Sequence, residues 1–224
     1  MSVPGAGVRS RAAASRGESS EHLYARARQV LLKLGASGRV VDVGCGRGAL
    51  RPALDGIATT YVGLDAVRYD GFPERAEFVE ADLDRAPLPL PDAAADVAIA
   101  LETIEHLENP RQFVRELARI TRPGGWVLLS TPNQLSLLSR LTLLLRGQFR
   151  AFQDADYPAH ITALLESDLR RIAGECGLRD VTAVYSGRAR MALTAAHFPS
   201  WLSGALPRAF SDHVLLAARV PVDR

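Results

Sequence analysis

Glu102, Glu105 and His106 stand together in the run Leu101-Glu102-Thr103-Ile104-Glu105-His106-Leu107. On a helix, the spacing i, i+3, i+4 would bring both carboxylates and the imidazole to one face. Such a face can bind a divalent cation, and mixed oxygen and nitrogen ligation suits magnesium, manganese or zinc. Without a metal, the same residues allow acid–base chemistry. His106 is then the base, since an imidazole with a pKa of about 6.5 is largely unprotonated at neutral pH, and Glu105 is its partner. His106 cannot be ligand and base at once. A third reading makes Glu105 and His106 a pair that only shapes the site.

Upstream, Val40-Val41-Asp42-Val43-Gly44-Cys45-Gly46-Arg47-Gly48 reads as a buried strand running into a glycine turn. Missing side chains let a ligand approach the backbone, and a helix starting there would offer free N–H groups to an anion. Asp65 ends the next strand-like run, 21 positions after Gly44. A carboxylate at that place can accept hydrogen bonds from ribose hydroxyls. Gly44, Gly46 and Ala49 satisfy the loose dinucleotide fingerprint, so a nicotinamide cofactor is one reading. Two features point elsewhere. Asp42 at the strand end would repel a pyrophosphate but can accept from an ammonium group, and Gly48 extends the pattern to G-x-G-x-G. Cys45 is a small filler in the turn rather than a reactive thiol. Arg26 and Arg28 are within reach of a ligand carboxylate, although a solvated helix face is the plainer expectation.

These residues need a frame. Leu23, Ala27, Val30, Leu31 and Leu34 predict a helix over 21–34. Short apolar runs at 39–43, 60–64, 77–79, 94–100, 126–130, 181–185 and 213–220 predict strands. Helices are expected from Ala49 to Leu54, Pro110 to Ile120, Asn133 to Leu145, and Ser167 to Cys176 with Ser167 as cap. The alternation means an α/β domain with a largely parallel sheet, and a ligand lying across the carboxyl ends of its strands. A flexible leader (1–20) is expected before a single domain (21–224), with partly helical lid segments at about 134–165 and 187–211. The leucine-rich stretch Leu135 to Leu145 is expected to pack into the core. Contact with a membrane surface or an apolar substrate is its second reading, with Arg140, Arg146 and Arg150 nearby. Phe198 and Trp201 either line an acceptor pocket or pack. His22, His197 and His213 show no convergent partner and are expected to be ordinary.

Composition sets outer limits. The chain has 224 residues, 47% hydrophobic and 23% charged, which excludes a mainly disordered or fibrous protein. A formal charge of +2 gives no argument for a nucleic-acid partner. No apolar run reaches the roughly 18 residues that span a bilayer. Cys45 and Cys176 make no disulfide framework, and a reducing cytoplasmic setting is expected.

Taken in order, Asp42 to Gly48, Asp65, Ala81-Asp82-Leu83, Pro91-Asp92 with Asp96-Val97, and Pro123-Gly124-Gly125 resemble the motifs of class I S-adenosylmethionine-dependent methyltransferases. The resemblance covers roughly residues 38–133. It implies a Rossmann-like, seven-stranded, mostly parallel sheet with helices on both faces and an antiparallel last strand. It also implies S-adenosylmethionine as cofactor. Asp42 and Gly44 would face the methionine moiety, Asp65 the ribose, and Asp82 with Leu83 the adenine; Cys45, Gly46, Gly48 and Leu101 complete that set. The Glu-x-x-Glu-His run, Ser130-Thr131-Pro132-Asn133 and a later histidine are similar to two subgroups. These are the ubiquinone-biosynthesis O-methyltransferases and the small-RNA 3′-terminal 2′-O-methyltransferases, where such residues hold a metal. That resemblance adds His160 as a fourth candidate ligand beside Glu102, Glu105 and His106. The surroundings of His160 lack the aromatic–acidic neighbourhood of the RNA group. The expected acceptor is therefore the oxygen of a small molecule: phenolic or quinone-like, a sugar, or lipid-linked. Terminal 2′-O-methylation of RNA is the second reading among enzymes, and a non-catalytic nucleoside-binding regulator is the rival from another class.

Overall fold

Val40 and Val41 are both fully buried, yet they belong to different clusters, because neighbouring strand residues point to opposite faces. They sit in β1 (Gly38–Val43), the middle of a seven-stranded sheet. The computed structural model describes residues 5–15, 17–189, 191 and 196–223. The other strands are β2 (Ala58–Asp65), β3 (Glu77–Glu80), β4 (Ala95–Ala100), β5 (Thr121–Pro132), β6 (Arg179–Ser186) and β7 (His213–Arg219). Their order is β3-β2-β1-β4-β5-β7-β6. The first five pair in parallel, and β7 runs antiparallel to both its neighbours. Strand order reverses between β1 and β4, so a crevice opens there at the carboxyl ends.

Each face has its own core. Val41, Val43 and Leu129 pack with Phe113 and Leu117 of α3 (Pro110–Ile120) and Ile172 of α5 (Glu166–Glu175). On the other face, Val40, Ile99 and Leu215 pack with Leu23, Ala27 and Leu31 of α2 (Glu21–Leu34). That helix begins at Ser20, whose hydroxyl accepts from the Leu23 amide at 3.3 Å, and ends at Gly35 in a left-handed conformation.

Several elements differ from the sequence expectation. Ala6–Ala14 forms helix α1 where a flexible leader was expected. Residues 49–54 give only a 3-10 turn, Arg51–Leu54. Pro52 and Gly56 leave no room there for a longer helix. The leucine-rich helix α4 begins at Leu137, capped by Ser136, not at Asn133. Ahead of it, the Asn133 side-chain Nδ2 donates to the carbonyls of Arg208 and Ser211. Helix α5 starts ahead of Ser167, and the Asp168 carboxylate accepts from the Leu165 amide instead. Two short helices follow, α6 (Ser200–Ala205) and α7 (Pro207–Phe210). Among the described residues, no helix is long and apolar enough to cross a membrane.

Leu141, Leu143, Leu144 and Leu145 are exposed, which overturns the expectation that this stretch packs in the core. Trp201 is also exposed and Phe198 packs edge-on against Phe210, and neither lines the cavity at the carboxyl ends of the strands.

Candidate cofactor and acceptor site

The turn after β1 is built for close approach. Gly44 has φ of 78°, and a Cβ there would lie 2.2 Å from the Thr103 hydroxyl. Asp65, at the end of β2, accepts from the Gly46 amide at 2.8 Å and the Ala66 amide at 2.7 Å. Burial pushes its carboxyl up to about 6 against the pull of those amides. Asp42 is also buried and accepts from the Tyr61 hydroxyl at 2.6 Å. Burial lifts its carboxyl to about 7, opposed by that hydroxyl and reinforced by the charge of Asp65. Cys45 is buried, and burial pushes its thiol far above the ordinary range. It packs where Gly63 lacks a side chain, since a Cβ on Gly63 would come within 2.7 Å of the sulfur. The filler reading of Cys45 fits this.

A cavity of about 430 Å³ opens at this turn. That is within the usual range for a ligand site. Asp42, Gly44, Cys45, Asp65, Leu83, Leu101, Glu102, His106 and His160 line it. Gly46 and Gly48 shape the turn without lining the cavity. Asp82, expected to face an adenine, does not line it either. Its carboxylate turns back to accept from the Asp84 amide at 3.1 Å and to pair with Arg85 at 3.2 Å. Leu83 and Asp84 form the wall in its place. Arg26 donates to the Tyr185 carbonyl and Arg28 to the carbonyls of Ala53 and Asp55, so both serve packing and leave the ligand to other groups.

The sequence reading missed the roof. Val8, Arg11, Ala12 and Ser15, on and just after α1, line the cavity from the N-terminal side. Arg11 pairs with Asp84 at 2.8 Å and Glu108 at 3.0 Å. Farther along, the Gly17 carbonyl accepts from the Arg47 amide at 3.0 Å. The arginines and the triplet Ala12-Ala13-Ala14 are helix formers, which is the signal the sequence offered there. This roof explains Gly46: its φ is 51°, and a Cβ would stand 2.0 Å from the Gly17 carbonyl oxygen. Backbone cannot yield as a side-chain tip can. Gly46→Ala should therefore destabilise the fold by about 1–3 kcal/mol, read by urea denaturation. An unchanged midpoint would mean that Gly17 does not rest on the turn.

The Glu-x-x-Glu-His run is not one helical face. Only Ile104–His106 makes a 3-10 turn. Glu105, His106 and His160 come together, each with a ligand atom within 4.8 Å of the others. The His106 Nδ1 lies 2.7 Å from the Ala159 carbonyl, and the His160 Nδ1 lies 2.5 Å from the Ala151 carbonyl. A carbonyl can only accept, so each Nδ1 carries a proton, and in the neutral ring that tautomer leaves the lone pair on Nε2. Burial holds the His106 pKa below 6.5, opposed by the carbonyls of Ala159 and Glu102 and the charge of Glu102. Glu105 is fully buried and does not line the cavity. Neither of its carboxyl oxygens makes a well-formed hydrogen bond among the described residues; burial, with help from Glu102, raises its pKa well above normal, opposed by its own backbone amide and the nearby Thr131 hydroxyl. Two imidazoles oriented by carbonyls, beside a buried carboxyl that lacks a well-formed hydrogen bond, fit a divalent cation.

Glu102 does not join that group. Its Oε1 is 2.8 Å from the Nε2 of His213, which was expected to have no convergent partner. No local spacing could have revealed a pair formed between the ends of β4 and β7.

The chain is similar to known proteins over much of its length. It is 31% identical over 179 residues to a probable S-adenosylmethionine-dependent methyltransferase of Mycolicibacterium smegmatis, covering 77% of this chain and 65% of that protein. It is 32% identical over 160 residues to a ubiquinone biosynthesis O-methyltransferase of Thiobacillus denitrificans, covering 64% of this chain and 65% of that protein. Both matches span less than two thirds of the relative's own length. A crystal structure of a SAM-dependent methyltransferase from Archaeoglobus fulgidus shares the fold with a TM-score of 0.64 at 20% identity, over 88% of this chain and 92% of that one. Residues 17–183, well over half of the sequence, match the family model described as a methyltransferase domain, and the chain belongs to that family.

Proposed function

We propose that this protein moves the methyl group of S-adenosylmethionine to an oxygen of a small-molecule acceptor. One observation carries the reading. The two imidazoles line the same cavity as the turn formed by Asp42, Gly44 and Asp65, which supports a cofactor and an acceptor meeting in one chamber. The acceptor oxygen attacks the methyl carbon as the carbon–sulfur bond breaks. The acceptor becomes a methyl ether, the sulfonium becomes a neutral thioether, and the hydroxyl proton leaves. His106 Nε2 takes that proton in the metal-free form of the reaction. The protein's main tasks are alignment and exclusion of water. Oxygen is preferred because of the Glu-x-x-Glu-His similarity and the O-methyltransferase relative.

Glu105, His106 and His160 would hold a divalent cation, which would acidify and orient an acceptor hydroxyl when bound. Its ligation would occupy the lone pair that His106 otherwise offers to the proton. Leu144 and Leu145, 81% and 79% exposed beside exposed Arg140 and Arg146, support a lipid-linked acceptor or contact with a lipid surface.

The test is a panel of phenolic, sugar and lipid-linked acceptors with methyl-labelled S-adenosylmethionine, run with added magnesium, manganese or zinc and with chelator. Label is expected in a base-stable ether product. Binding of S-adenosylmethionine with no turnover on any acceptor would favour a non-catalytic binding protein. Glu105→Ala should abolish any metal dependence; full activity of wild type in chelator would remove the cation from the account.

A further inference from the structure

Glu102 is the acid that the histidine cluster leaves out, and its backbone and side chain are both pinned. Its φ of 48° is an unfavourable conformation for a side chain of this size. Its amide donates to the Ser130 hydroxyl at 3.0 Å, and its Oε1 is held by His213 at 2.8 Å. His213 opens β7, paired with Pro132 of β5, and its side chain is only 15% exposed. Glu102 lines the cavity between its two ends: the hydroxyl of the next residue, Thr103, donates to the Val43 carbonyl beside the turn at 3.2 Å, and the Thr103 carbonyl accepts from the His106 amide at 3.0 Å. The group that must pass between those ends is the methylsulfonium.

We propose that Glu102, fixed in place by His213, recognises the positive charge of the sulfonium and so distinguishes S-adenosylmethionine from its demethylated product. The inference rests on the cavity being the S-adenosylmethionine site. S-adenosylmethionine and S-adenosylhomocysteine differ by one methyl group and one unit of charge. Among the described residues, the lining holds six carboxylates and one guanidinium, so it favours a cation. Several of those acids are already engaged: Glu18 with Arg47, Asp84 with Arg11, and Asp156 with the Gln153 amide. Glu102 is engaged too, by His213 through Oε1, but it is the acid that stands between the turn and the histidines. Once the methyl has left, the sulfur is neutral and this attraction is gone, which favours product release. His213 is a positioning residue, acting through the carboxylate it holds.

Calorimetric titration with three ligands tests this without any acceptor. S-adenosylmethionine and sinefungin, which has an ammonium-bearing carbon in place of the methylsulfonium, carry the charge. S-adenosylhomocysteine does not. Glu102→Gln should lower the affinity of both cations relative to S-adenosylhomocysteine by about five- to tenfold, with S-adenosylhomocysteine itself within twofold of wild type. His213→Leu should lower the ratio similarly, while His213→Gln, whose amide can still donate to Oε1, should stay within about threefold of wild type. An unchanged ratio in Glu102→Gln, or an equal loss for all three ligands, would overturn the charge recognition. Equal losses in the two His213 variants would overturn the positioning role. Failure of wild type to bind any of the three would refute the site assignment itself.

Discussion

Asp65→Ala is expected to weaken S-adenosylmethionine binding by about 100-fold, measured by calorimetry. A hydrogen bond to a charged group contributes about 1.5–3 kcal/mol, and a ribose offers two hydroxyls to this carboxylate. Loss of about 3 kcal/mol corresponds to roughly two orders of magnitude in Kd. The substitution also strands the Gly46 and Ala66 amides that Asp65 now accepts from, so the turn itself loosens. Asp65→Asn keeps the shape and one acceptor, and should lose less. A change below threefold with intact folding would contradict the ribose assignment. The pH dependence has a definite sign. In the free protein, burial places Asp42 at about 7 and Asp65 at about 6. A cationic ligand favours their ionised forms, so binding near or below neutral pH must expel protons. Affinity should therefore fall as pH drops from 8 to 6, by at most about tenfold per unit for each group. Asp42→Asn should flatten the upper part of that fall, and proton release should appear as a buffer-dependent heat. A pH-independent affinity would mean that neither carboxyl meets the bound cation.

What the sequence made legible was local and doubly buried. Val40, Val41 and Val43 announce a central strand, and the glycines after them can only be a turn, so the sheet and the cofactor turn follow from short-range pattern. The remaining features depend on partners far along the chain. Residues 1–20 read as a flexible leader, yet Arg11 finds Asp84 on the cavity wall and Glu108 beyond it. Asp82 stood in the right motif position, but Arg85, three residues on, draws its carboxylate away. His213 meets Glu102 only because the antiparallel β5–β7 ladder sets it opposite Pro132. The leucines of α4 show the limit of composition from the other side. An apolar stripe is buried only where another element covers it, and Leu144 and Leu145 have no such cover among the described residues.

His106→Ala should lower kcat by about 100- to 1,000-fold on an acceptor found in the panel, while the Kd for S-adenosylmethionine stays within about threefold. The split follows from position. His106 belongs to the Ile104–His106 turn rather than to the strand ends that carry Asp42 and Asp65, and its Nδ1 proton is committed to the Ala159 carbonyl, so only Nε2 is available to the acceptor. Because burial keeps the imidazole unprotonated, the base form prevails at neutral pH. The rate should rise through a midpoint below 6.5 and stay level above it. His160→Ala leaves this Nε2 in place and should cost less than His106→Ala in the metal-free reaction. If the two imidazoles act as co-ligands of a cation instead, both substitutions should cost alike, and both losses should track weaker metal binding. A His106→Ala enzyme with normal kcat but a much weaker hold on cofactor would reverse the assignment, placing His106 among the binding groups and leaving the hydroxyl proton to pass directly to water.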